Sequence, residues 1–530
     1  RQTVPRPVTS GVVMRRFPRR TSRPAAAALL ATGLALAPLA PSAAHDGGAV
    51  KDKDRIERMQ SEYDGGLSVP LLTSPNVSLV SSFPETAAIS GCFARSAPYF
   101  YVSSLDSISV FDTSDPLHPE LTGTLDNLTF ENEAMNCGER KAGRTIARFV
   151  LVGVDLHQAS TGDISHVNPG DGQEVVVVDV TDPASPRIRG RAAATTSTHT
   201  VACVDDTDCR YAYTAGNSST QSFSILDFTD PDNPREVDAD PAVEGVQPFT
   251  SPTAGHKWNF DDAGYGTHTG FDGSAVFDVS DPLRPELVTT TGEAGKGTDP
   301  AFAGYNDFIH HNSFRPNAER FVAGAEPSFA NGNVLLVTEE DYVDVDCATA
   351  GSFQAWHVTS LSGAPSAIRP LDKVELADLG SYPLPVGAFC SAHWFDVHPS
   401  GIAAVGFYGG GLQLVDARDP RDLKPYGHAV WGASEVWDAY WVPAYSKRGV
   451  ATSKKTNIVY TVDLVRGLDV YTVDLPGGTE SEPLLPLSAT AAPDPDGAVG
   501  PVLLIGVLAA GLLVAVGLRR RTATVHRKYA

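Results

Sequence analysis

Residues 175–188 have the sequence VVVVDVTDPASPRI, and variants of this stretch recur along the chain. Its four valines are β-branched and pack well on the pleated surface of a strand. Asp179 and the pair Asp182-Pro183 favour a tight turn, because Asp bonds nearby backbone N–H groups and Pro restricts the chain. The stretch therefore predicts a buried strand that ends in a turn.

The copies of this stretch set the organisation of the chain. Five copies are close in sequence and two are degenerate. The position of the first Asp is occupied in turn by Asp112, Asp179, Asp227, Asp278, His357, Asp416 and Asp474. Successive copies are 48 to 79 residues apart, which is enough for a four-stranded antiparallel sheet with its loops. Repeats of this period are typical of propellers and solenoids.

We predict an all-β fold, a seven-bladed β-propeller that spans residues 77–475 with one blade per repeat. Radial repetition protects the edges of the sheets and buries a core between neighbouring blades. The strand-like run 77–83 precedes the first complete blade, and we expect it to supply the outer strand that the last blade lacks. A β-helix or a pair of smaller propellers is the alternative architecture.

The copies that end in VVVVDVTDP, FSILDFTDP and SAVFDVSDP resemble the LVIVD repeat family of extracellular propeller proteins. The resemblance covers roughly residues 77–475, and five of the seven copies match well. It implies a propeller fold in a surface or secreted setting, and it implies no substrate.

The first 44 residues are expected to be an export signal. A basic segment begins at Met14, the expected start of the natural chain, and precedes an apolar stretch at 25–40. Small residues at 42–44 would form the cleavage site. Residues 45–76 would then be an N-terminal linker.

The other end of the chain predicts a membrane anchor. Residues 498–518 contain no charged side chain, and as a helix they would be roughly 30 Å long, about the thickness of the hydrocarbon core. The basic tail 519–530 should stay in the cytoplasm by the positive-inside rule. We therefore expect a single-pass cell-membrane protein with its propeller on the extracellular side, above a stalk at 476–497. A buried core helix is the alternative for 498–518.

The charge of the predicted outward part is strongly negative. Of the 41 Lys and Arg residues, the first 44 positions hold 7 and the last 12 hold 5, and neither stretch contains Asp or Glu. The remainder has 63 acidic and 29 basic residues, a net charge near −34. This argues against nucleic acid or an anionic surface as a partner. An extracellular protein or a small ligand is the expected partner.

All the cysteines lie in the same outward part, where disulfides persist. They are Cys92, Cys137, Cys203, Cys209, Cys347 and Cys390. Sequence alone allows about fifteen pairings of six cysteines. Cys203 and Cys209 flank a polar turn between two strand-like runs, which favours a bridge across one hairpin. The pairs Cys92–Cys137 and Cys347–Cys390 then follow by elimination.

A histidine recurs near the start of four predicted blades. Matching the other three blades through their cysteines, or through a proline, gives an equivalent position in every blade. In blade order these positions are Ala88, Glu133, His199, His256, His311, His393 and Trp437. If the strands are the innermost ones, the seven side chains converge on the propeller axis.

Four imidazoles and one carboxylate form a ligand set suited to Zn, Cu, Fe or Mn. The sequence therefore predicts a transition-metal site in the axial channel, with His199, His256, His311 and His393 as ligands. Glu133 would be a fifth ligand or a base.

A structural role is the alternative for these histidines. A repeated His near the start of a blade can bond within its own blade to Ser, Thr or Asp, and the Asp that ends each repeat is a candidate partner. The absence of His from three blades favours the metal. His157, His310 and His398 are expected to be surface or loop residues, with a supporting role beside the ring ligands as the alternative. The acidic run 339–347 is expected to be a solvated loop, because it lacks the Gly and the ligand spacing of an EF-hand calcium site.

Two functions are compatible with these features. One is a membrane-anchored binding or scaffold module, which needs only the repeat, the anchor and the acidic surface. The other is a metal-dependent oxidase or hydrolase that uses the histidine ring. The sequence contains no nucleophile elbow, P-loop or H-E-x-x-H motif, and no cofactor other than the metal is expected.

Overall fold

The computed structural model describes residues 71–84, 88–104, 107–126, 133, 135–155, 173–216, 221–341, 343–344, 346–385 and 388–476. The predicted export signal with Met14, most of the linker, nearly all of the stalk, the membrane helix and the tail lie outside these ranges. Within them, no helix is long and apolar enough to cross a membrane.

Two strands, β1 (Leu72–Thr73) and β2 (Val77–Phe83), precede the first blade. Blades one and two consist of β3 (Ser90–Phe93), β4 (Tyr99–Ser103), β5 (Ser107–Asp112), β6 (Glu120–Asp126), β7 (Met135–Ala142), β8 (Thr145–Asp155), β9 (Gln173–Asp179) and β10 (Arg187–Ala193). Blade three consists of β11 (Thr200–Cys203), β12 (Tyr211–Ala215), β14 (Ile225–Asp227) and β15 (Arg235–Glu236), and a separate small sheet pairs β13 (Ser222–Phe223) with β16 (Phe249–Thr250).

The remaining blades follow the same order along the chain. Blades four and five consist of β17 (Gly255–Phe260), β18 (Tyr265–Gly270), β19 (Gly273–Asp278), β20 (Glu286–Thr290), β21 (Ile309–Phe314), β22 (Val334–Glu340), β23 (Ser352–Val358) and β24 (Ile368–Val374). Blades six and seven consist of β25 (Phe395–Val397), β26 (Ile402–Gly406), β27 (Leu412–Asp416), β28 (Lys424–Val430), β29 (Val436–Tyr445), β30 (Ala451–Asp463) and β31 (Gly467–Val473). Single-turn 3-10 helices lie at Ala318–Arg320, Phe329–Asn331 and Leu376–Asp378.

The repeated stretch forms the third strand of each blade and the turn after it. In blade two, Asp179 Oδ1 accepts a hydrogen bond from the Thr181 N–H at 3.0 Å, and Asp182 Oδ1 accepts one from the Ala184 N–H at 3.1 Å. The other four close copies repeat this pair of bonds. The aspartates therefore stabilise the turns, as the sequence predicts.

The ring closes between the last blade and the start of the propeller. Strand β2 pairs antiparallel with β31, so that Val77 lies opposite Val473 and Phe83 opposite Leu468. This confirms the predicted closing strand. Blade seven also packs on blade one, and each of the other pairs of neighbouring blades shares a buried apolar cluster. The described chain is therefore one seven-bladed propeller, not a β-helix or two smaller rings.

Two further features concern the predicted linker and the cysteines. Leu72–Thr73, within the predicted linker, pairs with β28 as a fifth strand of blade six. The six cysteines form the bonds Cys92–Cys137, Cys203–Cys209 and Cys347–Cys390, the pairing anticipated from the sequence. The first bond joins the innermost strands of blades one and two, and the second lies across one hairpin.

Candidate metal centre

The four histidines of the predicted ring lie side by side on the propeller axis. Ring centroids are 4.6 Å apart for His199 and His256, 4.2 Å for His256 and His311, and 4.0 Å for His311 and His393. None of the four is more than 1% exposed. Their order around the axis is the order of their blades, which shows that the shared register in the sequence corresponds to a shared position in space.

Glu133 lies at the centre of this arc and is completely buried. Its Oε1 is 2.8 Å from His311 Nε2, 2.9 Å from His393 Nε2 and 3.5 Å from His256 Nε2, and its Oε2 contacts His199 Nε2. Four imidazole nitrogens from four blades therefore meet one carboxylate. We call Glu133 and the four histidines the axial cluster.

The backbone around His256 shows how the fold positions one member of the cluster. His256 is the second residue of β17, after Gly255. A Cβ on Gly255 would lie 1.6 Å from His268 Nε2, so a larger residue cannot fit. The His268 ring uses this space, and it stacks on Trp258 at 4.4 Å and bonds Ser251 Oγ through Nδ1 at 2.7 Å. Close packing behind the strand thus fixes the position of His256.

A backbone carbonyl orients the ring of His393. Its Nδ1 is 2.7 Å from the carbonyl oxygen of Trp437. A carbonyl oxygen can only accept a hydrogen bond, so Nδ1 carries a proton and Nε2 is turned toward the axis. Nε2 is within hydrogen-bond distance of Glu133 Oε1, at 2.9 Å, so a shared proton or a metal cation can join these two atoms. Metal-ligating histidines commonly donate their second N–H to a backbone carbonyl in this way.

Burial and proximity shift the pKa values of the cluster. Burial lowers the pKa of His256 to about 4, and burial together with the neighbouring imidazoles lowers that of His311 well below its usual range. Burial would raise the pKa of Glu133, but the charge and hydrogen bond of His199, aided by the other imidazoles, hold it well below its ordinary value. Neutral imidazoles and an ionised carboxylate are the protonation states that ligate metals.

A second carboxylate joins the cluster, and the sequence interpretation missed it. Glu340 is completely buried at the end of β22, with its Oε2 3.6 Å from His311 Nε2 and its Oε1 accepting a hydrogen bond from the Tyr408 hydroxyl at 2.7 Å. The expectation of a solvated acidic loop is therefore wrong for Glu339 and Glu340, because both belong to a buried strand. Asp341, Val343 and Asp344 do lie outside the sheet.

The two ring positions without a ligating side chain form an apolar cap. Trp437 lies beside His393, with ring centroids 5.1 Å apart, and it packs with Tyr408. In blade one it is Ile89, and not Ala88, that packs in this cap. The residue that follows the expected position therefore packs in the cap. The cap shields one side of the cluster.

Other histidines fill the structural role considered above. His310 Nδ1 bonds Ser274 Oγ at 2.8 Å and its Nε2 bonds the Tyr305 carbonyl at 3.0 Å. His310 is completely buried, so its predicted place on the surface or in a loop is wrong. His398 bonds Ser400 at the turn after β25, and His157 lies outside the described residues. The Asp residues that end each repeat bond their turns and not the axial histidines.

A cavity, which we call the channel, lies on the axis next to residues that flank the cluster, and the cluster residues themselves do not line it. Its volume is about 350 Å³, and it lies between the innermost strands of blades one, two, four, five, six and seven. The residues that follow the ring positions line it, and they include Lys257, Asn312, Trp394 and Asp438. Burial lowers the pKa of Lys257 to about 7 and raises the pKa of Asp438 to about 8.

The raised pKa of Asp438 predicts a pH dependence of stability. Between pH values of about 4 and about 8 the native carboxyl holds a proton that the unfolded chain has lost, so the free energy of unfolding falls as pH rises through this window. Asp438→Asn removes this titration. The free energy of unfolding of the variant, relative to that of the parent, should therefore increase by up to about 1.4 kcal/mol for each unit of rising pH between those limits. Urea unfolding of both proteins at several pH values measures it, and a constant difference would contradict a protonated Asp438.

Comparisons with known proteins identify no family. No protein-family model matches the chain, and no curated protein matches it. Among solved structures, the β-propeller domain of Cps50 (Swd1) from Myceliophteria thermophila is similar over 75% of this chain and 99% of that chain, with 12% identity and a TM-score of 0.45. Sqt1 from Saccharomyces cerevisiae is similar over 74% and 98%, with 11% identity and a TM-score of 0.44. Neither similarity bears on function.

Proposed function

We propose that this protein is a membrane-anchored extracellular β-propeller that binds a transition-metal ion in its axial cluster. The observation that carries the proposal is the convergence of four imidazole Nε2 atoms on one buried carboxylate. The extracellular setting and the anchor are supported by the signal-like segment 1–44 and the uncharged segment 498–518. The resemblance to LVIVD repeats supports the same setting.

The spacing of the cluster suits a single ion. Ligand atoms that lie about 2.1 Å from one ion at right angles are about 3 Å from each other. Glu133 Oε1 lies at hydrogen-bond distances of 2.8 and 2.9 Å from the Nε2 atoms of His311 and His393, and these distances are also close to the spacing of two ligands of one ion. His256, His311 and Glu133 form one group of ligating atoms within 4.8 Å, and His311, Glu340 and His393 form another. His311 belongs to both groups.

Charge compensation also favours a metal cation. Burying an ionised carboxylate is unfavourable unless it is paired, and the groups within ion-pair distance of Glu133, among the described residues, are the four imidazoles. A divalent ion supplies the positive charge without requiring imidazoles of lowered pKa to be protonated. Mixed imidazole and carboxylate ligands suit Zn, Cu, Fe or Mn, whereas Mg and Ca prefer oxygen ligands.

The channel favours a second candidate function, a metal-dependent oxidase or hydrolase. A non-catalytic metal site needs no route for a substrate, but here a cavity of about 350 Å³ is lined by residues that directly follow His256, His311 and His393. A metal in contact with such a channel can polarise a bound group or activate water. The channel residues Lys257 and Asp438 would then contact the substrate.

Elemental analysis tests the metal proposal. The full-length protein, purified without a polyhistidine tag and incubated with each metal salt before desalting, should retain about one equivalent of a transition metal. His256→Ala/His393→Ala should lose it while keeping its β-sheet circular dichroism. His398→Ala is the matched control, because His398 bonds Ser400 away from the cluster. A parent protein that retains none of the four metals would contradict the proposal.

A further inference from the structure

Lys257 places its side-chain amino group in the axial channel near the cluster. It follows His256 on β17, and its Nζ lies 3.0 Å from the ring centroid of Trp394 in blade six. Among the described residues, Nζ makes no hydrogen bond and no ion pair within 4.0 Å, and the carboxyl groups of Asp438 and Glu133 act on it from a greater distance. The cation–π contact covers one side of the ammonium and leaves N–H donors for another partner.

The other charges of the channel are already satisfied. Arg95 pairs with Asp206 at 2.6 Å, and Lys455 pairs with Asp396. Asp438 is almost completely buried and, with its raised pKa, is largely uncharged at neutral pH. Lys257 is therefore the basic side chain that the channel offers to an anion.

The remaining lining is broad and aromatic. Trp394, Tyr440 and Trp441 border the cavity with Phe93 and Phe395. Side chains of this kind bind apolar or aromatic bodies, while a few polar groups fix their orientation. The volume of about 350 Å³ falls within the range of small-molecule sites.

We propose that the channel binds a small organic carboxylate, with its carboxylate on Lys257 Nζ and its apolar body against Trp394 and Trp441. The Trp394 ring lies 5.3 Å from that of His311 and 5.8 Å from that of His393. The bound molecule would thus lie next to the axial cluster. The inference rests on the proposed function in so far as it names a substrate class for the metal. The anion site itself depends only on Lys257 and the channel.

Benzoate is the probe, and benzamide is its uncharged control. Isothermal titration of the full-length protein should detect benzoate binding, and Lys257→Met should weaken it at least about tenfold, because a hydrogen bond to a charged group is lost. Benzamide should bind weakly and equally to both proteins. Lys373→Met is the matched control, since it removes a partly buried lysine that pairs with Glu375 in blade five and does not line the channel, and it should leave benzoate binding unchanged.

A second measurement needs no variant. Reductive methylation with formaldehyde and cyanoborohydride labels accessible lysines, and peptide mass spectrometry reports each site. Benzoate should protect Lys257 and leave Lys373 labelled, whereas benzamide should protect neither. This measurement decides the question even if Lys257→Met does not fold.

Both measurements are made on metal-loaded and metal-depleted protein, so that the two proposals can fail separately. Benzoate binding that depends on Lys257 in protein without metal supports the anion site even if no metal is ever retained. If benzoate binds only to metal-loaded protein, and with equal affinity to the parent and to Lys257→Met, then benzoate is a metal ligand and the anion site is overturned. Equal binding to parent and Lys257→Met, or no binding and no protection, would overturn it as well.

Discussion

Replacing His311 by alanine is expected to weaken transition-metal binding by more than about 100-fold, which is beyond the effect of losing an outer-shell partner. His311 contributes to both groups of ligating atoms, with Glu133 and His256 on one side and with Glu340 and His393 on the other. Removing it leaves neither group complete. Competition titration against a chromophoric chelator measures the affinity of the parent and the variant.

The neighbouring residue supplies the control for this variant. His310 is equally buried, but it bonds Ser274 and the Tyr305 carbonyl and points away from the cluster. His310→Gln should lower stability and leave metal affinity within about threefold of the parent, because no ligand is lost. If His310→Gln and His311→Ala weakened metal binding equally, the loss would reflect general unfolding and the assignment of His311 would fail.

Arg466→Met is expected to lower the free energy of unfolding by about 3 to 5 kcal/mol, because it leaves a buried carboxylate without its cation. Arg466 and Asp469 are 5% and 1% exposed and pair at 2.9 Å on the hairpin that receives the closing strand. Asp469 lies opposite Ser82 of β2 and hydrogen-bonds to its hydroxyl. Chemical unfolding followed by circular dichroism measures the change.

The matched control is an exposed pair in another blade. Arg187 is 72% exposed and pairs with Asp179 at 2.8 Å. Exposed ion pairs contribute about 0 to 1 kcal/mol, so Arg187→Met should change stability by no more than that. An effect of Arg466→Met as small as that of Arg187→Met would show that the closure does not depend on this buried pair.

The fold was predictable because each blade contains a strand and a turn that can be recognised from a short stretch of sequence. The strand and turn around Asp179 depend on neighbouring residues, and a repeated local signal gives the number of blades. The closing role of residues 77–83 was also predictable, because the last blade is one strand short and this strand-like run lies before the first blade. The ring position was also predictable for the histidines and Glu133, since equivalent positions of a propeller converge on its axis.

The rest of the site depends on contacts between distant parts of the chain. Glu340 sits in an acidic run whose composition is typical of a loop, and only its pairing in β22 shows that it is buried. Lys257 and Asp438 lie one residue beyond ring positions on different blades, so their meeting in the channel requires the register of every innermost strand. In blade one the residue that packs beside Trp437 is Ile89 and not the expected Ala88, which only the three-dimensional packing shows.

The most direct test of the central claim is an anomalous difference map from crystals of the protein grown with the metal that it retains. We predict one peak about 2.0 to 2.3 Å from the Nε2 atoms of His256 and His311 and from a carboxylate oxygen of Glu133. No peak at the axis, with the imidazoles hydrogen-bonded directly to Glu133, would contradict the account and make the axial cluster a structural network.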